Sequence, residues 1–75
     1  MLSDKELQRN FGKRLRYFRR DRDLTQEQLA ELVDLSVNFI SMLEKSEAAP
    51  SFDTITKLTN ALNVDVGELF KFDGK

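Results

Sequence analysis

Apolar residues recur along this chain at intervals of three and four. No run of four to eight residues alternates apolar with polar as a half-buried strand would, so the pattern predicts an all-α fold. Ser3 with Glu6 makes a capping-box pair that opens a first helix, in which Leu7, Phe11, Leu15 and Phe18 face a core and which ends near Asp21 to Asp23. Thr25 with Gln28 is a second such pair, opening a helix of about two turns with Leu29, Leu32 and Val33 inward. Asp34 and Leu35 break the period. Ser36 then caps a third helix that runs through Lys45 with Ile40 and Leu43 inward, so two short helices are joined by a tight turn. Beyond the loop from Ser46 to Ser51, which contains Pro50, a fourth helix turns Phe52, Ile55, Leu58 and Leu62 inward and stops at a left-handed Asn63. Asp65 with Glu68 predicts a further capping box for a short fifth helix carrying Val66, Leu69 and Phe70. With no repeat or linker between these helices, residues 1–75 read as a single domain.

The polar positions divide as clearly as the apolar ones. Arg9, Lys13, Arg16 and Arg20 follow one another at helical spacing and form an outward stripe on the first helix. On the third helix, placing residues at about 100° intervals with Ile40 and Leu43 inward leaves Asn38, Ser41, Met42 and Lys45 outward, with Val37 beside them at the exposed N-terminal end. That face has no acid. Asn pairs bidentately with adenine, Ser donates or accepts, and Val or Met touches a thymine methyl, so the face suits base edges as well as it suits an ordinary mixed surface. Glu44 points closer to the core than a free carboxylate tolerates and needs a cationic partner or several hydrogen bonds; Arg19, at the edge of the first helix's apolar stripe, is the candidate, the alternative being an exposed carboxylate capped by water.

Composition removes most alternatives. The chain lacks cysteine and histidine, which excludes disulfides, thiolate or imidazole metal sites and Ser-His or Cys-His nucleophile pairs. No catalytic residue, cofactor or metal is expected. No apolar stretch has the length of a signal peptide or a membrane span, so a cytoplasmic protein is expected. The net charge of −1, from 12 Lys plus Arg against 13 Asp plus Glu, is not the basic footprint of a nucleic-acid binder. Any such binding has to come from local placement. That placement is uneven, with the arginines between Arg9 and Arg22 and with Glu27, Glu31, Asp34 and Glu47 in the next stretch.

The stretch LTQEQLAELVDLSVNFISMLEKSEAAPSFDTITKLTNALNVDVGELF, Leu24 to Phe70, resembles the Cro/repressor helix-turn-helix domains, the lambda-repressor-like or XRE family. Those domains show Leu-Thr/Ser-Gln-x-x-Leu-Ala at helix 2, then Ser-x-x-x-Ile-Ser-x-x-Glu, Pro-Ser, and a final Leu-x-Val-x-x-x-x-Leu/Phe. With Phe11 to Arg19 the likeness covers nearly the whole chain. It implies a compact five-helix, lambda-repressor-like domain with the helix-turn-helix at helices 2 and 3. It also implies that Val37, Asn38, Ser41 and Met42 face bases in the major groove of double-stranded DNA, while Arg19, Thr25, Gln26, Ser36 and Lys45 meet the backbone. Arg19 and Glu44 match a buried ion pair, and Phe39 matches an aromatic position where packing against helix 4 competes with a DNA role. Glycine is usual in such domains where this chain has Asp23, Asp34, Ser46 and Asn63, positions that often need a positive φ. The loop after helix 3, often basic in relatives, is here SEAAPS with Glu47, which implies weak non-specific binding.

These readings converge on a sequence-specific transcriptional regulator, a repressor or controller that acts by occupying an operator. A homodimer is expected through helix 5 and Leu69, Phe70 and Phe72, because a last helix this short should not bury all three. The alternative is a protein-interaction or antitoxin-like module on the same fold, favoured by the near-zero net charge and the acidic helix 2. An enzyme ranks last, because so small a domain has no pocket-sized interior.

Overall fold

The computed structural model describes residues 2–71, which form α1 (Asp4–Asp21), α2 (Gln26–Val33), α3 (Val37–Glu44), α4 (Phe52–Leu62) and α5 (Val66–Leu69). Each start has a local cause. Ser3 and Glu6 form a complete capping box on α1, Thr25 and Gln28 another on α2, and the Ser36 and Ser51 hydroxyls accept from Phe39 and Thr54 to open α3 and α4. The box expected at Asp65 and Glu68 is absent: the Asp65 side chain makes no cap bond, and the Glu68 carboxylate is taken by Arg14 at 3.0 Å, which brings α5 onto α1 instead.

The first four helices close in one way. Asp23, Asp34, Ser46 and Asn63 have φ of 57, 57, 64 and 55°, and they are all the non-glycine residues with positive φ among those described. In each case the next amide reaches five residues back, Leu24 to Arg19 O, Leu35 to Ala30 O, Glu47 to Met42 O and Val64 to Thr59 O, at 2.8 to 3.1 Å. Leu24, Leu35 and Val64 then fold against the core. A left-handed residue with a Cβ costs about 1 to 2 kcal/mol, and glycine returns part of that gain as unfolded-state entropy. Asp34 makes no side-chain hydrogen bond among the described residues, so Asp34→Gly is expected to stabilise the domain by about 0.5 to 1 kcal/mol in urea unfolding. An unchanged or lower midpoint would mean that the Asp34 side chain contributes something beyond its backbone angle.

The core is one cluster of Phe11, Leu15, Phe18, Leu29, Ala30, Val33, Ile40, Leu43, Leu58, Leu62 and Leu69, with α1 packed on α3 and α5, α2 on α3 and α4, and α4 on α5. Three residues expected to face inward lie outside it: Leu32 and Phe52 are 61 and 88% exposed and Leu7 is half-buried, while Val66, carried by the short fifth helix, is 54% exposed. Leu29, Ala30 and Val33 make the buried arc of α2, and Leu32 falls about 60° outside it. On α4 the arc is set by Thr54, Leu58 and Leu62, which places Phe52 about 120° from Leu58. Val66 is the first residue of α5, before the turn that carries Leu69 inward.

Long-range polar bonds finish the packing. Asn10 Nδ2 donates to Lys71 O at 2.8 Å, Arg14 Nε to Glu68 O at 2.8 Å, and Arg22 Nε to Leu62 O at 2.6 Å. No buried side-chain nitrogen or oxygen lacks a partner among the described residues. None of the described helices is long and apolar enough to cross a membrane.

Candidate nucleic-acid interface

The outward face of α3 is held by a buried charge cluster at its C-terminal end. The Glu44 side chain is fully buried; Arg19 Nε donates to Oε2 at 2.6 Å and Nη2 to Oε1 at 3.1 Å, while Arg19 Nη1 donates to Leu24 O at 2.7 Å. Gln26 Nε2 donates to Glu44 Oε1 at 3.1 Å, and Arg16 Nε approaches the same oxygen at 3.5 Å. Burial pushes the Glu44 carboxyl up. The hydrogen bonds from Arg19 and Gln26, the Arg19 charge and the Arg16 contact outweigh that and hold it below the ordinary carboxylate range. One carboxylate on α3 therefore ties down α1 and the first residue of α2, which sets the angle at which α3 is presented.

Close packing of α1 on α3 makes this reach possible. A Cβ at Gly12 would lie 2.6 Å from Leu43 O and 2.8 Å from Glu44 O, so glycine is the residue that allows the two backbones to approach beside the ion pair.

With the inner side of α3 fixed by Ile40, Leu43 and Glu44, Val37, Asn38 and Lys45 are exposed, and Ser41 and Met42 are half-buried beside them. Asn38 Nδ2 lies 3.6 Å from Met42 Sδ, a weak contact on the outer face that leaves the carboxamide available. The Ser36 hydroxyl accepts from Phe39 N at 3.0 Å, and the Thr25 hydroxyl from Gln28 N at 3.0 Å. The amides of Gln26 and Glu27 on α2, and of Val37 and Asn38 on α3, have no hydrogen-bond partner among the described residues. Free amides at a helix start, with the positive end of the helix dipole, suit an oxyanion. A shallow depression lined by Arg19, Arg20, Thr25, Gln26, Glu27 and Val37 joins the end of α1 to the starts of α2 and α3.

Arg19 is 7% exposed with its guanidinium on Glu44 and Leu24 O, and the half-buried Gln26 gives its carboxamide to Glu44, while both still line the depression. Thr25, Ser36 and Lys45 remain at the surface. Arg20 joins the depression although the spacing places it only in the outer stripe; its position next to Arg19, in the last turn of α1, is the available signal. Arg16, read as an outer-stripe residue, leans onto Glu44. Phe39 is half-buried against the core.

The expected dimer seam needs correction. Leu69 is 0% exposed, because α5 wedges between α1 and α4, and Phe70 is half-buried with its ring centroid 5.2 Å from that of Phe11. Phe72 lies outside the described residues. One open, mainly apolar groove is formed by Leu7, Phe11, Ala49, Pro50, Phe52, Ile55 and Phe70, with Asp4 and Gln8 at its polar side.

A family model described as helix-turn-helix matches residues 15–69. The immunity repressor protein of Bacillus phage phi105 is 34% identical over 58 residues, covering 77% of this chain and 40% of that protein, so the chain spans well under half of its length. An uncharacterized HTH-type transcriptional regulator of Archaeoglobus fulgidus is 37% identical over 60 residues, covering 80% of this chain and 86% of that protein. The crystal structure of the restriction-modification controller protein C.AhdI from Aeromonas hydrophila superposes with a TM-score of 0.81 at 36% identity, covering 84% of this chain and 96% of that one.

Proposed function

From the premise that this chain belongs to the helix-turn-helix family, we propose that it is a sequence-specific DNA-binding transcriptional regulator that docks α3 in the major groove of an operator. One observation carries this reading: the outer face of α3 bears Val37, Asn38, Ser41, Met42 and Lys45 without an acid, although the chain has 13 acidic residues. Val37, Asn38, Ser41 and Met42 read base edges, Lys45 meets a phosphate, and Thr25, Ser36 and the free amides behind them hold the backbone. Arg19 and Glu44 serve as the ion pair that orients the helix. Regulation is steric, with no chemical step, cofactor or metal, and the cytoplasm is where such a protein meets DNA. The repressor and controller names of the relatives support regulation by occupancy.

Asn38 and Lys45 separate base reading from backbone positioning. Asn38→Ala is expected to weaken specific binding by about 1 to 3 kcal/mol per half-site and relax preference at one symmetric base pair, with its salt dependence unchanged. Lys45→Ala is expected to lower affinity for all sequences and reduce the salt slope by about one unit per subunit. Titrations against operator and scrambled duplexes at several salt concentrations distinguish the two. An Asn38→Ala protein that keeps both affinity and preference would show that this face does not read DNA.

A single α3 of 8 residues covers too few base pairs to be selective, so the protein acts as a homodimer. The groove holding Phe52, 88% exposed, and half-buried Phe70 supplies the apolar seam for a second copy. Phe52→Glu is expected to leave the monomer folded and to weaken both self-association and operator binding by about tenfold or more. Sedimentation of unaltered protein as a monomer, free at high concentration and on operator DNA, would remove this part of the reading.

A further inference from the structure

A row of cations runs along α1 beside the reading face, and the fold leaves part of it without a structural task. Arg14 is engaged by Glu68, Arg19 by Glu44, and Arg22 by Leu62 O and Asp21. Lys13 and Arg20, both exposed, have no hydrogen bond or ion pair among the described residues. At 100° per residue Lys13, Arg16 and Arg20 fall within about 60° of one another on the helix, and they line one shallow depression with Tyr17 and Asp21. Asp21 itself is bonded to Arg22 Nη1 at 3.1 Å.

The row also has a fixed relation to the proposed DNA face. Arg16 touches Glu44 of α3, and Arg20 shares its second depression with Thr25, Gln26 and Val37, at the starts of α2 and α3. The cations therefore continue outward from the anion seat at those two helix starts. From Lys13 to Arg20 the axial rise is about 10 Å, or about three steps of one DNA strand at 3.4 Å each.

We propose that Lys13, Arg16 and Arg20 form a second phosphate-binding ridge, which follows the DNA strand flanking the groove occupied by α3, with the Tyr17 hydroxyl among them as a further donor. This rests on the reading of α3 as the base-reading helix and adds a contact outside it. The ridge accounts for how a chain with a net charge of −1 binds a polyanion: its cations are concentrated on α1, at the edge of the interface, where the acids beside them are Asp21, bonded to Arg22, and Glu27 at the start of α2. It holds the backbone without reading sequence, so it tightens binding to all duplexes alike.

The test uses the full chain and a duplex selected by that chain from random DNA. Affinity is measured between about 50 and 200 mM salt for the unaltered protein, Lys13→Ala, Arg20→Ala, the double variant, and Lys5→Ala as a charge-matched control. Lys5 lies on the same helix about 22 Å from Arg20 along its axis, beyond a Debye length at physiological salt. Arg16 is left unaltered because it also contacts Glu44, and equal melting temperatures verify folding of the exposed-site variants. The expected result is a salt slope lower by about one unit per subunit for each single ridge variant and about two for the double, with base preference unchanged. Each unit removes about fourfold of the affinity difference across that salt range. Slopes equal to that of the unaltered protein, or a Lys5→Ala effect as large as Arg20→Ala, would overturn the ridge and leave DNA reading by α3 standing. An unaltered protein that selects no duplex and shows no salt-dependent binding would overturn both.

Discussion

Gly12→Ala is expected to destabilise this domain by about 3 kcal/mol or more, the upper end of the range for overpacking, and to lower its melting temperature by more than about 12 °C. The added methyl would stand 2.6 Å from Leu43 O and 2.8 Å from Glu44 O, both backbone atoms of α3 that cannot swing aside. The two helices would have to separate, and separation also pulls Arg19 away from Glu44. In an open helix the same substitution would stabilise by about 1 kcal/mol through propensity alone. The sign of the change therefore tests the contact. Urea unfolding that shows a stabilised variant would mean that α1 and α3 are not this close.

The second large effect concerns the charge cluster. Arg19→Ala removes two hydrogen bonds from a carboxylate whose side chain is 0% exposed and leaves it with Gln26 and a 3.5 Å contact to Arg16. Breaking a buried pair from one side costs about 3 to 5 kcal/mol, whereas Arg16→Ala, at a half-exposed side chain with a long contact, is expected to cost about 0 to 1 kcal/mol. The pH dependence follows from the direction of the Glu44 shift. Its folded-state pKa lies below the unfolded value, so the unfolded state takes up the proton first as pH falls. The stabilisation is fully present above about pH 5 and is lost as pH falls through the folded pKa. Without Arg19 the burial effect dominates, the carboxyl rises, and the gap between the two proteins should narrow from pH 7 towards pH 4. Equal melting temperatures for Arg19→Ala and Arg16→Ala at pH 7 would contradict the pair.

Much of this architecture is written locally in the chain. The caps at Ser3, Thr25, Ser36 and Ser51 mark helix starts because their partners are three residues away. Asn63 marks a left-handed stop because few residue types tolerate that conformation, whereas Asp23, Asp34 and Ser46 were indicated only by the glycines usual at those places in the family the chain resembles, and serine carries no such signal. Glu44 was legible because a carboxylate on an apolar face demands a cation, and Arg19 was the cation in phase with the facing stripe. What escaped sequence reading depends on distant partners. Asn10, Arg14 and Arg22 bond carbonyls 61, 54 and 40 residues away, and Gly12 is explained only by the backbone of α3. Apolar periodicity finds a helix face but not its edges, so Leu32 and Phe52 were placed inside and Leu69 at a seam. Neighbouring helices decide which flank is covered. The outer face of α3 was visible as a face without acids, whereas the bond from Gln26 to Glu44 and the place of Arg20 required the geometry of three helix ends.

The most direct measurement of DNA reading by α3 is selection of duplexes from a random-sequence pool by the purified chain, followed by sequencing of the bound fraction at increasing salt. The expected outcome is one enriched motif of two half-sites related by two-fold symmetry and centred about 10 base pairs apart, with retention falling steeply between about 50 and 200 mM salt. A bound fraction with no enriched motif, or retention that does not respond to salt, would contradict it.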